Sequence, residues 1–193
     1  MNYVNLLDVK IDRRSTDTRQ RLIDTTLDLI DVHGWSEVTL GGVAHACGVT
    51  TPACYKHFPS KTSLFEAAAR QLSTSLGERA GALVREDPIE SLVGIGSLLV
   101  DLAAERPRLF EFNQVSPAAI AALDRLDEHP LLALTRGEVE RLAAQRGTDP
   151  EPLHLLVWSC LQGYTQLIAV GATTADATFI RAALRAIVTI GDS

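Results

Sequence analysis

Residues 54–57, Cys-Tyr-Lys-His, set a thiol, a phenol, an ammonium and an imidazole side by side inside the segment GVTTPACYKHFPSK. Such groups can bind a metal, attack a carbonyl or hold a polyanion, and their spacing separates these chemistries. With His45 and Cys47 they form H-x-C-x6-C-x2-H, four nitrogen and sulfur ligands, which is the number a structural zinc requires. The tight C-x2-C knuckle is missing, however, and Cys47 and Cys54 fall on the apolar faces of two short helices, where free cysteine acts as a small hydrophobe. No metal site is expected. Cys54 and His57 are three apart on a helix and could meet, but neither an orienting third group nor an oxyanion hole accompanies them, so the pattern does not support an enzyme. Side chains of these types also touch DNA, and that use stays open beside the other two. Tyrosine, lysine and histidine all donate hydrogen bonds, and a short helix can present them on the face opposite its packed one.

The elements that must position these residues are helical. From Thr16 to His33, Leu22, Ile23, Leu27 and Ile30 share one stripe, with Thr16 or Asp17 as the cap and Gly34 at the stop. Thr39 precedes a segment whose Leu40, Val43, Ala44 and Cys47 follow i, i+3, i+4, i+7, and Gly48 closes it. The spacing predicts a further short helix over about 52–57. Pro52 fits only its first turn, and Thr50 or Thr51 is its cap. Two short helices joined through GVT make a helix-turn-helix. Ser60 then caps a long helix over about 60–85, and breaks at Pro88, Pro107, Ser116-Pro117, His129-Pro130, Gly147 and Thr174 mark the remainder. No strand alternation, repeat or low-complexity tract interrupts the pattern, so the fold class is all-α with about nine helices.

Composition narrows the function. Residues 1–62 hold seven Lys/Arg and seven Asp/Glu, whereas residues 63–193 hold 11 and 17 and carry the whole net charge of −6. A neutral front half and an acidic back half suit two parts with different work. The N-terminal MNYVNLLDVKIDRR has no long apolar stretch and does not read as a signal peptide. With three cysteines in no framework spacing, a reduced cytoplasmic protein is expected. Residues 152–175 lack Asp, Glu, Lys and Arg, a length that could span a bilayer. Their His, Gln, Ser and Thr residues favour instead a helix buried between the core and a second subunit. No membrane partner is expected.

The run TRQRLIDTTLDLIDVHGWSEVTLGGVAHACGVTTPACYKHFPSKTSLFEA, residues 18–67, resembles the N-terminal domain of TetR-like (tetracycline-repressor-like) transcriptional regulators through its HGW junction, its AxxxGV turn and its YxHFPSKxxLF ending. ERPRLFEF and VWSCLQGYTQL are similar to segments of that family's effector-binding, dimer-forming domain, although Gln162 replaces the histidine of one subgroup. The resemblance implies an arm over 1–14, a helix-turn-helix DNA-binding domain over 15–62 and an effector-binding and dimerisation domain over 63–193. It implies a homodimer through the last two helices that reads palindromic double-stranded DNA and answers to a small-molecule effector, most often as a repressor. No cofactor is implied.

On this reading Tyr55, His57 and Lys61 hold phosphates, Lys56 reaches a base edge, Thr50, Thr51 and Pro52 lie at the groove, and Thr39 assists at a helix start. Two departures stand out. Gly41-Gly42 replaces the usual polar first turn of the second helix, at a cost of about 1 kcal/mol per glycine relative to alanine, and Pro52 removes a backbone donor. A helical ligand-binding or interaction protein without operator binding is therefore the alternative. For the effector site, Phe110, Phe112, Gln114, Trp158, Gln162 and Tyr164 combine apolar bulk with polar handles. The absence of a cationic cluster points to an uncharged, largely apolar effector. Gly94 and Gly96, inside a good helix, leave room either for that ligand or for close helix packing.

Overall fold

The computed structural model of the chain describes residues 18–122 and 129–190. Within them the chain forms ten helices: α1 (Thr18–His33), α2 (Leu40–Ala46), α3 (Thr51–His57), α4 (Lys61–Gly81), α5 (Pro88–Glu105), α6 (Pro107–Val115), α7 (Pro117–Ala122), α8 (Pro130–Arg146), α9 (Pro150–Ala169) and α10 (Ala177–Ile190). The arm over 1–14 and the cap at Thr16 or Asp17 lie outside the described residues. Among the described residues there is no strand, and the all-α reading holds.

Punctuation in the sequence sets most of these boundaries. Proline stands first in α5, α6, α7, α8 and α9 and second in α3, positions where its missing N–H has no helical partner to lose. Ser60 and Ser63 form a reciprocal cap at the start of α4, with Ser63 N–H donating to Ser60 Oγ at 3.0 Å and Ser60 N–H to Ser63 Oγ at 3.2 Å. Two boundaries differ from the sequence expectation. The long helix ends at Gly81 rather than near residue 85, and the carbonyls of Arg85 and Glu86 accept from the Arg141 guanidinium of α8 instead of from helix. The final helix begins at Ala177 rather than Thr174. There the Asp176 carboxylate accepts from Thr178 N–H at 2.8 Å, while Asp176 N–H is tied to the Tyr164 hydroxyl at 2.7 Å.

One continuous core runs through both halves, with Leu22 and Ile30 of α1, Leu64, Leu72 and Leu76 of α4, Leu98 and Leu102 of α5 and Phe110 and Phe112 of α6 all buried. Helix α4 is the axis, packing on α1 at one end and on α8 at the other. Its Gly77 makes the second contact possible, because a Cβ there would sit 2.6 Å from Pro130 Cβ and 3.0 Å from Leu131 N. Gly94 and Gly96 serve the same purpose. Added Cβ atoms would come within 3.1 Å of Leu83 and 3.0 Å of Ile180, so both glycines are packing devices and neither makes room for a ligand.

No helix among the described residues is long and apolar enough to cross a membrane. The charge-free stretch 152–175 is α9 and the turn after it.

Candidate nucleic-acid interface and effector cleft

The helix-turn-helix rests on a small hydrophobic anchor. In α3, Cys54 is fully buried, and Phe58, its C-cap one turn later, is 2% exposed with the Arg19 guanidinium of α1 over its ring at 4.9 Å, while the helix itself packs on α2. Burial, and next the neighbouring Cys47, push the Cys54 thiol above its usual pKa, which keeps it an un-ionised core residue. Cys47 is also engaged, its Sγ lying 3.0 Å from Thr25 Oγ1 and 3.4 Å from the Arg21 carbonyl oxygen. The Arg21 guanidinium donates to the Cys47 carbonyl at 2.6 Å and so fixes the end of α2 to α1. Among the described residues, no group of three or more His, Cys, Asp or Glu is arranged to hold a metal.

Opposite the anchor, Tyr55, Lys56 and His57 are all exposed, Tyr55 to 50%. Thr50 and Thr39 are the N-caps of α3 and α2, accepting from Ala53 N–H at 3.3 Å and Gly42 N–H at 3.1 Å. Thr51 and Pro52 form the exposed first turn of α3. All seven of these candidates are exposed. Lys61 differs from them. It is half-buried, its ammonium lies over the Phe65 ring at 4.9 Å, and it donates to the Ser36 carbonyl at 3.4 Å. Gly41 and Gly42 are exposed as well, and so is His45, a cationic-capable residue that sequence reasoning had weighed only as a metal ligand.

The effector candidates do not form one site. Gln114, Trp158 and Gln162 line a cavity of about 70 Å³ set in a cleft of about 600 Å³ that opens to solvent. Asn113, His129, Leu99 and Leu131 complete much of its wall. Gln162 Nε2 donates to Gln114 Oε1 at 3.0 Å across α9 and α6. Phe110 and Phe112 do not line it. They are 1% and 0% exposed, and Phe112 meets Phe65 edge to face with centroids 5.6 Å apart. Tyr164 lines a separate apolar pocket of about 20 Å³ with Cys160, Phe179 and Ile180. Its ring lies against Phe179 at 4.1 Å and its hydroxyl fixes the turn before α10. Sequence reasoning missed His129 and Asn113. His129 was read only as a helix breaker before Pro130, and no periodicity marks either residue.

Helices α9 and α10 leave large apolar side chains uncovered. Leu155, Leu156, Leu167 and Val170 on α9 and Phe179 on α10 are all exposed, Leu155 to 65%.

Residues 22–68 match the family model described as "Bacterial regulatory proteins, tetR family". Among curated relatives, the nucleoid occlusion factor SlmA of Marinobacter nauticus is 26% identical over 148 residues, covering 68% of this chain and 76% of that protein. The HTH-type transcriptional regulator AcrR of Shigella flexneri is 36% identical over 69 residues, which are 36% of this chain and 32% of AcrR. The described fold is similar to that of the multidrug binding protein EbrR complexed with ethidium, with a TM-score of 0.65, 23% identity, and coverage of 89% of this chain and 98% of EbrR. An anchored α3 with an exposed polar face, the matched family model and a fold shared along the chain lead to one assignment: residues 22–68 are a segment of the kind found in bacterial regulatory proteins of the tetR family, carried on a fold similar to that of EbrR.

Proposed function

We propose that this regulator is a cytoplasmic homodimer that represses transcription by binding a palindromic operator and is released when a small molecule enters the cleft between α6 and α9. One observation carries the DNA half of the reading. Helix α3 is anchored by Cys54 and Phe58 while Tyr55, Lys56 and His57 between them stand exposed. A helix so placed can enter a major groove with its N-terminal turn leading. In this account Tyr55, His57 and Lys61 take phosphates with Thr39 assisting, Lys56 takes a base edge, and Thr50, Thr51 and Pro52 lie at the groove. Lys61 must leave its contacts with Ser36 and Phe65 to do so, or act from where it stands by charge alone.

The dimer half is supported by the uncovered leucines of α9 together with Phe179 of α10. A patch of that kind is covered by a partner in most stable proteins, and a twofold pairing of α9 and α10 would present two α3 helices to the two halves of a palindrome. In this reading the operator-binding half lies before residue 62 and the ligand half after it. AcrR is an HTH-type regulator and EbrR binds ethidium, and both lend weight to a regulator with a ligand site.

A second reading has its own observation. The exposed first turn of α2 carries Gly41 and Gly42, which offer no side chain to DNA. A ligand-binding protein without an operator would tolerate that pair. Selection of bound fragments from the source genome by the purified protein, with Lys56→Ala and Tyr55→Ala in parallel, decides between the two. Recovery of a palindromic site that the variants lose supports the regulator, and no enrichment by a folded dimer at low salt leaves the second reading standing.

A further inference from the structure

The first turn of α1 reaches the ends of both helices of the helix-turn-helix. Arg21 extends to α2, where its Nη2 donates to the carbonyl of Cys47, the C-cap of that helix, at 2.6 Å. Arg19 extends to α3, where its guanidinium lies over the ring of Phe58, the C-cap there, 4.9 Å from the centroid. Residues two apart stand roughly 200° apart around a helix axis, so the two arginines leave α1 on opposite sides. The turn that carries them therefore lies between the C-terminal end of α2 and that of α3.

The two arginines are held by different chemistry. A carbonyl at a helix C-terminus carries partial negative charge and takes up part of the Arg21 charge. An aromatic ring attracts a cation through its quadrupole but brings no countercharge. Phe58 therefore orients the Arg19 guanidinium without neutralising it. Arg19 is exposed. A guanidinium has five N–H donors in one plane, enough to keep a partner inside the protein and still grip a phosphate oxygen.

Its neighbours indicate the anion. His57, proposed above as a phosphate contact, directly precedes Phe58 and is exposed, as is Lys56 before it. The last turn of α3 thus ends beside a cation supplied by another helix. A recognition helix that enters the groove by its N-terminal turn brings its other end toward the rim, where the phosphates stand.

We propose that Arg19 is a DNA-contacting residue of α1, which Phe58 holds in place to grip a backbone phosphate beside the C-terminal end of α3. It adds affinity and register, and no base preference. This rests on the reading of α3 as the recognition helix. A purely structural Arg19 would brace α3 through Phe58 and do nothing else, and salt dependence separates the two roles.

The full-length protein is titrated by fluorescence anisotropy against the selected operator and a scrambled duplex, between 0.1 and 0.3 M salt. One phosphate contact on duplex DNA is worth about 0.9 in the slope of log Kd against log salt. Arg19→Met should lose that much slope, weakening binding about 8-fold at 0.1 M salt and about 3-fold at 0.3 M, equally on both duplexes. The methionine keeps an apolar chain over Phe58. Arg19→Lys keeps the charge and should restore the slope. Should Arg19→Met lose helical circular dichroism, Arg19→Gln takes its place.

Unchanged affinity and slope in Arg19→Met overturn the proposal and leave Arg19 as a stacking partner of Phe58. A loss of the same size at both salts, accompanied by a lower Tm, overturns it because the arginine then acts only by seating α3. A loss confined to the selected operator overturns it in favour of a base-edge contact. Wild type that binds neither duplex at low salt removes the DNA reading itself and the role of Arg19 with it, and that failure is seen before any variant is compared.

Discussion

Arg106, the residue between α5 and α6, holds Asp31 in the last turn of α1, with its Nε and Nη2 at 3.0 and 2.9 Å from the same carboxylate oxygen. Two residues on, Arg108 donates to the Val32 carbonyl at 2.6 Å. The final carbonyls of a helix have no partner within it and carry partial negative charge, so two guanidinium groups are a fitting clasp. Helix α6 begins at this clasp, packs Phe112 on Phe65 of α4, and ends with Asn113 and Gln114 in the cleft. A single nine-residue rod therefore touches both the cleft and α1, the helix on which α2 packs.

If that rod carries the coupling, Arg106→Ala should separate the two activities. Both side chains of the pair are largely buried, so its loss should cost roughly 1–3 kcal/mol of stability, and Asp31→Asn should cost similarly. A double-mutant cycle should then show the two costs to be non-additive. Operator affinity without ligand should change less than the ligand-induced loss of affinity. Equal coupling in wild type and Arg106→Ala, measured by fluorescence anisotropy on the selected operator, would remove α6 from the route.

The glycines give a contrast within one chain. Gly77→Ala forces a Cβ to 2.6 Å from Pro130 and against the backbone of Leu131, which cannot retreat cheaply, so a loss of about 1–3 kcal/mol is expected. Gly41→Ala meets only Thr51 Oγ1 at 4.0 Å and should gain up to about 1 kcal/mol from helix propensity. Urea denaturation of the two variants checks both signs. Destabilisation by Gly41→Ala would mean that the first turn of α2 needs more freedom than its helical geometry shows.

Periodicity and punctuation made the fold legible. The prolines, Ser60 and Gly147 mark helix ends through local rules, and the stripe of α1 and the burial of Cys54 and Phe58 follow from spacing alone. The exposed residues of α3 were readable for the same reason, since on a seven-residue helix whatever does not pack must be exposed. The cleft was not. Gln114 and Gln162 lie 48 residues apart on α6 and α9, and Phe110 and Phe112 look like pocket residues in sequence because nothing local distinguishes an aromatic that fills a core from one that greets a ligand. Only the packing of α6 between α4 and α9 decides that. The clasp on α1 was hidden likewise, because Arg106 and Arg108 flank a proline and look like surface charge.

Stability should fall on mild acidification through His154. Burial first, and then the charge of Arg136, hold its pKa below the usual 6.5, against the opposing pull of Glu151 and Glu140. The unfolded chain therefore binds this proton more readily than the folded one. The contribution is fully present above pH 6.5 and is lost as pH falls through the lower folded value. Thermal unfolding of wild type and His154→Gln at pH 7.5 and 5.5 should show a smaller drop in Tm for the variant. An identical drop in both would place the acid sensitivity in other groups.

Helix α3 offers the sharpest separation of folding from DNA binding. Phe58→Ala removes a nearly inaccessible ring and should cost about 3–5 kcal/mol, taking DNA binding with it because the helix loses its seat. Lys56→Ala removes an exposed side chain one turn above Pro52 and should leave stability within about 0.5 kcal/mol. Its effect on DNA depends on what the ammonium touches. Contact with a base edge predicts a loss of roughly 1–3 kcal/mol on the selected operator and a smaller loss on scrambled DNA. Contact with phosphate predicts the same loss on both, with the slope of log Kd against log salt falling by about one. Measuring that slope on the two DNAs distinguishes these contacts. A Lys56→Ala protein with unchanged affinity and slope on both would mean that this lysine faces away from the groove, and that Tyr55 and His57 hold the operator without it.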